Sequence, residues 1–251
     1  SEKTEEMSFL GHLEVLRWHL IRSGIAIISL SILAFICKEF IFDTVLLAPK
    51  DPNFYTYKFL CNISQYLGMG DALCIKESPF SLINITMSGQ FSTHLMTSLY
   101  AGFILAFPYV FWEIWRFIIP ALKDNETKVT RGVVFFSSFL FLVGVLFGYY
   151  VVTPLSINFL GNYTISEEVF NDFDLASYIG LLRASVLASG LIFELPIIIH
   201  YLTKVGLVTP DFLRKNRKFA LVIVLSLSAI ITPPDIASQI IVTIPILVLY
   251  E

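Results

Sequence analysis

Leu191-Ile-Phe-Glu-Leu-Pro-Ile-Ile-Ile-His200 places a carboxylate and a proline inside an apolar stretch running from about Ala176 to Tyr201. A helix of that length crosses the ~30 Å hydrocarbon core of a bilayer. A charged side chain at the bilayer centre costs roughly 2.5–3.5 kcal/mol on insertion scales, so Glu194 is expected to face protein or water and is a functional candidate by default. Pro196 removes a backbone donor, which leaves a carbonyl near Phe193 to be satisfied by a neighbouring helix or by water. The bland reading of Glu194 is a structural hydrogen bond to a neighbouring helix; the sharper one is contact with a partner or substrate.

The rest of the chain has the same character. Of 251 residues, 56% are hydrophobic and only 15% charged, with a mean hydropathy of +0.75, which excludes an ordinary soluble domain. The apolar runs hold Leu, Ile, Val and Phe at every helical angle rather than in alternation, so the fold class is an all-α polytopic membrane protein, not a β-barrel. Glu2, Glu5 and Glu6 precede the first apolar run, so no cleavable signal is read there and insertion by a retained first helix is expected.

One transmembrane domain over 1–251 is expected, with spans at about 23–42, 92–114, 132–152, 176–201, 219–231 and 236–250. Residues 7–20 put Phe9, Leu13, Leu16 and Leu20 on one face of a short surface helix that feeds the first span. The loop 43–91, with Pro49, Pro52 and Pro79, is long enough to hold short helices of its own. Trp112, Trp115 and Phe117 suit the headgroup belt, and Pro154 is expected to end the third span. The last two runs reach only about 20 Å as helices, short of a full bilayer.

Lysine and arginine settle the expected orientation. Residues 1–22, 115–131 and 201–218 carry three, four and five of the seventeen, against three in the first loop, with Lys38 and Arg183 inside spans. The positive-inside rule then puts both ends in the cytoplasm and Cys61 and Cys74 outside, where a disulfide and two free thiols are both open.

No Walker loop, zinc helix, nucleophile elbow or Cys-x-x-Cys pair is present, so nucleotide hydrolysis and metalloprotease chemistry have no residues to carry them, and no metal, cofactor or nucleic acid is expected. His12, His19, His94 and His200 are scattered without ligand spacing and read as surface or interface histidines. Glu14 and Glu126 interrupt regions that are otherwise positive. Carboxylates can receive an arginine guanidinium in a bidentate pair, whereas the bland alternatives are an i,i+3 pair of Glu14 with Arg17 and a solvated loop charge at Glu126. Gln239 is the other polar residue placed to meet a polar group inside the bundle.

The order of motifs resembles the TatC family, the receptor component of the twin-arginine protein translocase. The resemblance rests on His12-Leu-Glu-Val-Leu-Arg17, Ala48-Pro49, Ile114-Trp-Arg-Phe-Ile-Ile-Pro-Ala-Leu122 followed by Glu126, Phe193-Glu-Leu-Pro196, and Thr232-Pro-Pro-Asp-Ile-Ala-Ser-Gln239. It implies a concave, glove-like six-helix bundle in the bacterial inner membrane. It also implies a cytoplasmic site for twin-arginine signal peptides at Glu126 and the amino-terminal motif, where Glu14, Val15 and Arg17 stand. In the family pattern His-Leu-x-Glu-Leu-Arg the glutamate position is here Val15, with Glu14 one step earlier. Glu194 and Gln239 are implied to contact single-span TatA-like and TatB-like partners, with Pro49, Pro196 and Pro234 structural. The implied activity is non-enzymatic export of folded proteins driven by the proton motive force, by a homo-oligomeric complex in contact with lipid. The family continues past Glu251, so a truncated tail is expected. The rival reading is a secondary transporter or ion pathway using Glu194; it predicts paired half-chain repeats, and none is seen between 1–125 and 126–251.

Overall fold

The first helix, α1 (Phe9–Ile36), is one rod of 28 residues. It holds no proline, and Gly24 and Gly11 are its only glycines, so nothing in the sequence separates the surface segment from the span that follows it. The computed structural model describes residues 9–66, 68, 70, 74, 80–118, 130–166, 168, 171–204, 209–231 and 236–250. The chain divides into two compact units, Ser1–Ile36 with Ser98–Phe139 and Cys37–Thr97 with Leu140–Glu251.

In the first unit α1 meets the greater part of α3 (Gly89–Ile118). A Cβ on Gly102 would lie 2.6 Å from the amide nitrogen of Ser31 and 2.7 Å from its Cα, so the two helices touch through backbone and glycine is required. Phe103, Phe107, Phe111 and Trp115 repeat every fourth residue of α3 and form a ladder with centroid spacings of 6.2, 5.9 and 6.3 Å. Trp115 is buried in that ladder, while Trp112 is exposed beneath the Arg116 guanidinium, 4.9 Å from its ring.

The second unit begins with a π-helical turn, Phe40–Leu46, and a 3-10 turn, Ala48–Lys50. Then follow α2 (Tyr55–Tyr66) and β1 (Ser81–Ile83), so the long loop has structure of its own. Cys61 of α2 is disulfide-bonded to Cys74, with Cα atoms 4.4 Å apart. Strand β1 pairs in parallel with β2 (Asp172–Asp174), Leu82 opposite Phe173, which adds a two-stranded sheet to a chain expected to be wholly helical.

Helix α4 (Thr130–Phe147) does not stop at Pro154. It passes through a π-helical turn, Gly148–Val152, into α5 (Thr153–Asn162). Pro154 has no N–H for the carbonyl four residues back, that of Tyr150; the Thr56 hydroxyl on α2 donates to that oxygen instead. With the orphan carbonyl satisfied from outside, the helical path continues. Tyr57 fastens the same place, its hydroxyl donating to the carbonyls of Pro49 at 2.9 Å and Pro154 at 3.1 Å.

Helix α6 (Leu175–Ile192) starts at Asp174, whose side chain accepts from the Ala176 N–H, and is followed by α7 (Leu195–Lys204) and α8 (Pro210–Lys215). Helices α9 (Arg217–Ile231) and α10 (Ile236–Tyr250) have 15 residues each, about 22 Å at 1.5 Å per residue. Val224 of α9 and Val242 and Ile246 of α10 close on Val152. Among the described residues four stretches are long and apolar enough to cross a membrane: Glu14–Ile36, Gly89–Ile118, Gly132–Asn162 and Leu175–Lys204.

Candidate functional site

Glu194 does not lie within one unbroken helix from Ala176 to Tyr201. It occupies a two-residue turn between α6 and α7, and both Phe193 and Glu194 are buried. Pro196 accounts for the break. The Glu194 N–H donates three residues back to Leu191 at 3.1 Å, and the N–H groups of Ile197 and Ile198 both converge on the Glu194 carbonyl at 3.0 and 3.1 Å, so one ladder ends and another begins at this residue. The turn is clamped by packing. A Cβ on Gly144 of α4 would lie 2.7 Å from the Ser189 carbonyl oxygen and 2.8 Å from the Phe193 Cβ, and the Phe193 ring lies 5.4 Å from that of Phe147.

Gln239 is engaged across the last two helices. Its amide donates to the Leu225 carbonyl at 3.3 Å, its own carbonyl accepts from Thr243 at 2.7 Å, and Thr243 shares a 2.9 Å hydrogen bond with Ser228. Glu14 and Arg17 are exposed on α1 and Val15 is half-buried. Pro49 is buried under Tyr57, and Pro196 is half-buried. Glu126 and Pro234 lie outside the described residues, as does the side chain of His12.

The most developed polar cluster is one that sequence reading passed over. Glu113, in the middle of Trp112-Glu-Ile-Trp115, is 1% exposed. His19 of α1 hydrogen-bonds through Nδ1 to Oε2 of this carboxylate, and the Tyr109 hydroxyl donates to Oε1 at 3.1 Å. Arg116 Nη1 stands 3.8 Å from Oε1 and Arg22 Nη1 stands 4.0 Å from Oε2. A carboxylate taken out of water costs several kcal/mol unless hydrogen bonds and opposite charge compensate it, and here four side chains do so. His19, half-buried, is therefore a clasp between α1 and α3, the interface alternative of the two readings open to it. Tyr109 and Arg116 stand four before and three after Glu113, a spacing that marks them as neighbours on one helix face; His19, 94 residues away, carries no such signal.

These features define a multi-pass α-helical membrane protein whose buried Glu113 carboxylate is held by neighbouring side chains. Among the described residues no group of three His, Cys, Asp or Glu side chains is arranged to hold a metal ion. The family model for the Sec-independent protein translocase protein TatC matches residues 11–245, and the chain belongs to that family. It is 41% identical over 247 residues to the TatC protein of Blattabacterium sp. subsp. Periplaneta americana, covering 98% of this chain and 93% of the relative. It is 35% identical to the TatC protein of Desulforapulum autotrophicum, over all of this chain and 84% of the relative. A crystal structure described as the twin arginine translocase receptor TatC superposes with a TM-score of 0.71 at 32% identity, covering 96% of each chain. The chain is thus a membrane-embedded component of a protein translocase that works with other Tat subunits, a transport protein and not a classical enzyme.

Proposed function

We propose that this chain is the receptor subunit of a twin-arginine translocase, binding the paired arginines of a signal peptide at the cytoplasmic face and passing folded cargo across the bacterial inner membrane. The observation that carries this reading is the likeness, over nearly the whole of both chains, to a structure described as the twin-arginine translocase receptor. In this reading all six apolar helices cross the membrane as one concave domain with both ends cytoplasmic, α9 and α10 doing so where the bilayer is thin.

Glu126 is the principal carboxylate for the arginine pair, with Glu14 and Arg17 of α1 contributing to the same recognition and Val15 standing where the family pattern has glutamate. Bidentate carboxylate–guanidinium contacts give such a site its preference for arginine over lysine. Glu194, at the break between α6 and α7, and Gln239 receive polar groups from TatA-like and TatB-like single-span helices in a complex that also holds further copies of this chain. The proton motive force drives the transport.

Photocrosslinking of a twin-arginine signal peptide from residue 126 tests the central claim. Strong crosslinks are expected, and Glu126→Ala should reduce peptide binding at least tenfold; unchanged binding in that variant rejects Glu126 as the recognition residue.

A further inference from the structure

A cleft of about 350 Å³ opens where three segments of the second unit meet. Lys38 and Glu39 come from the link after α1, Phe42 and Asp43 from the π-helical turn, Gln90, Phe91 and His94 from the first turns of α3, and Leu175 from the start of α6. Its volume lies within the ~300–1,000 Å³ of ordinary small-ligand clefts. None of these residues belongs to the translocation reading above.

The composition is specific. Lys38 supplies one cation, Glu39 and Asp43 supply two anions, and Gln90 supplies an amide. Opposite charges within one small cleft suit a zwitterion. The cleft lies at the apolar-to-polar boundary of the chain: the apolar run of α1 ends there, while those of α3 and α6 begin there. Such a boundary is the level of lipid headgroups. Helix α3 presents its N-terminus at this mouth, and amide N–H groups at a helix start favour a phosphate. Phe91 of the lining is an exposed apolar side chain, as are Phe40 and Leu95 close to lining residues in sequence, which offers apolar surface for an acyl chain. The ring of His94 stands edge-on to Phe42, 5.5 Å between centroids, and forms one wall.

We infer that this cleft is a binding site for a phospholipid with a primary-ammonium headgroup, its phosphate held by Lys38 and the start of α3 and its ammonium by Glu39 and Asp43. A trimethylammonium headgroup offers no N–H to the two carboxylates, and an anionic headgroup meets their repulsion. A divalent cation is disfavoured, since Glu39, Asp43 and His94 do not converge as a ligand set.

Native mass spectrometry of the full chain in detergent, titrated with phosphatidylethanolamine, phosphatidylcholine or phosphatidylglycerol, tests this. Phosphatidylethanolamine should bind at least tenfold more tightly than the other two. In Glu39→Gln/Asp43→Asn that preference should fall to within twofold, and Lys38→Ala should weaken phosphatidylethanolamine at least threefold, with circular dichroism unchanged because these side chains are exposed. Equal binding of the three lipids, or a preference that survives the double substitution, overturns the assignment. Displacement by soluble glycerophosphoethanolamine at concentrations equal to those of the lipid also overturns it, because the acyl chains would then contribute nothing.

Discussion

At the scale of single residues, two buried polar groups carry consequences that can be measured. Removing His19 leaves the Glu113 carboxylate buried with a neutral Tyr109 donor and two arginines at 3.8 and 4.0 Å, each about half-exposed. Loss of one hydrogen bond to a buried charge costs about 1.5–3 kcal/mol. His19→Ala should therefore lower the unfolding midpoint, followed through Trp112 and Trp115 fluorescence, and Glu113→Gln should make the second change nearly harmless. A double-mutant cycle yielding a coupling below about 0.5 kcal/mol would rule out the clasp. Tyr57, outside the membrane-spanning helices, is the other case. Burial pushes its phenol well above the usual value of 10.0. The unfolded chain ionises near pH 10 while the folded one holds its proton, so stability is full below that pH and falls as pH rises above it. Tyr57→Phe should reduce that alkaline loss by the share Tyr57 contributes and cost about 1–3 kcal/mol at pH 7, since the Pro49 and Pro154 carbonyls lose their shared donor. Alkaline denaturation curves of the two proteins in detergent, superposing, would refute it.

At the scale of elements, what was legible in the sequence follows from how local the cause is. Apolar length alone marks α1, α3, α4 and α6 as helices, and the prolines mark where trouble arises, but a proline's effect depends on what else reaches its orphan carbonyl. At Pro154 the Thr56 hydroxyl, 94 positions from the Tyr150 carbonyl it reaches, rescues the ladder and the helix continues. At Pro196 the ladder restarts on Glu194 and the helix breaks. Neither outcome can be read from the neighbours of the proline. The same holds for the clasp, whose local members Tyr109 and Arg116 are visible at helical spacing while His19 is not. The pairing of β1 with β2 and the closing of Cys61 on Cys74 likewise depend on segments meeting in space. Glycine spacing makes a comparable test of close packing. Gly144→Ala drives a methyl to 2.7 Å from the Ser189 oxygen and should cost about 1–3 kcal/mol through displacement of α6, whereas Gly24→Ala, with nothing within 4 Å, should stabilise α1 by about 0.5–1 kcal/mol. Thermal midpoints moving the same way in both variants would contradict this packing.

At the scale of the whole molecule, the proposed receptor role raises the question whether a chain lacking glutamate at position 15 would recognise a twin-arginine signal peptide fully. Glu14 is exposed on α1 while Val15 is half-buried, and one residue along a helix turns a side chain by about 100°. A carboxylate at 15 therefore addresses a different direction from Glu14 and cannot be replaced by it. The positions around it are cationic, since Arg17 and Arg22 are exposed on the same helix, and a peptide carrying two arginines is repelled by that surplus unless carboxylates offset it. Val15→Glu adds one such group at a partly desolvated place, where a charge-assisted hydrogen bond contributes about 1.5–3 kcal/mol, or roughly tenfold or more in affinity. Export of a twin-arginine reporter by cells that depend on this chain should rise accordingly, with Val15→Gln giving little gain because it restores size without charge. The gain should shrink when the signal's arginines are replaced by lysines, which lack the bidentate fork. Equal export by the Val15 chain and its Val15→Glu variant, across both signals, would mean that recognition at the amino-terminal motif is already complete and that Glu126 supplies the arginine selectivity alone.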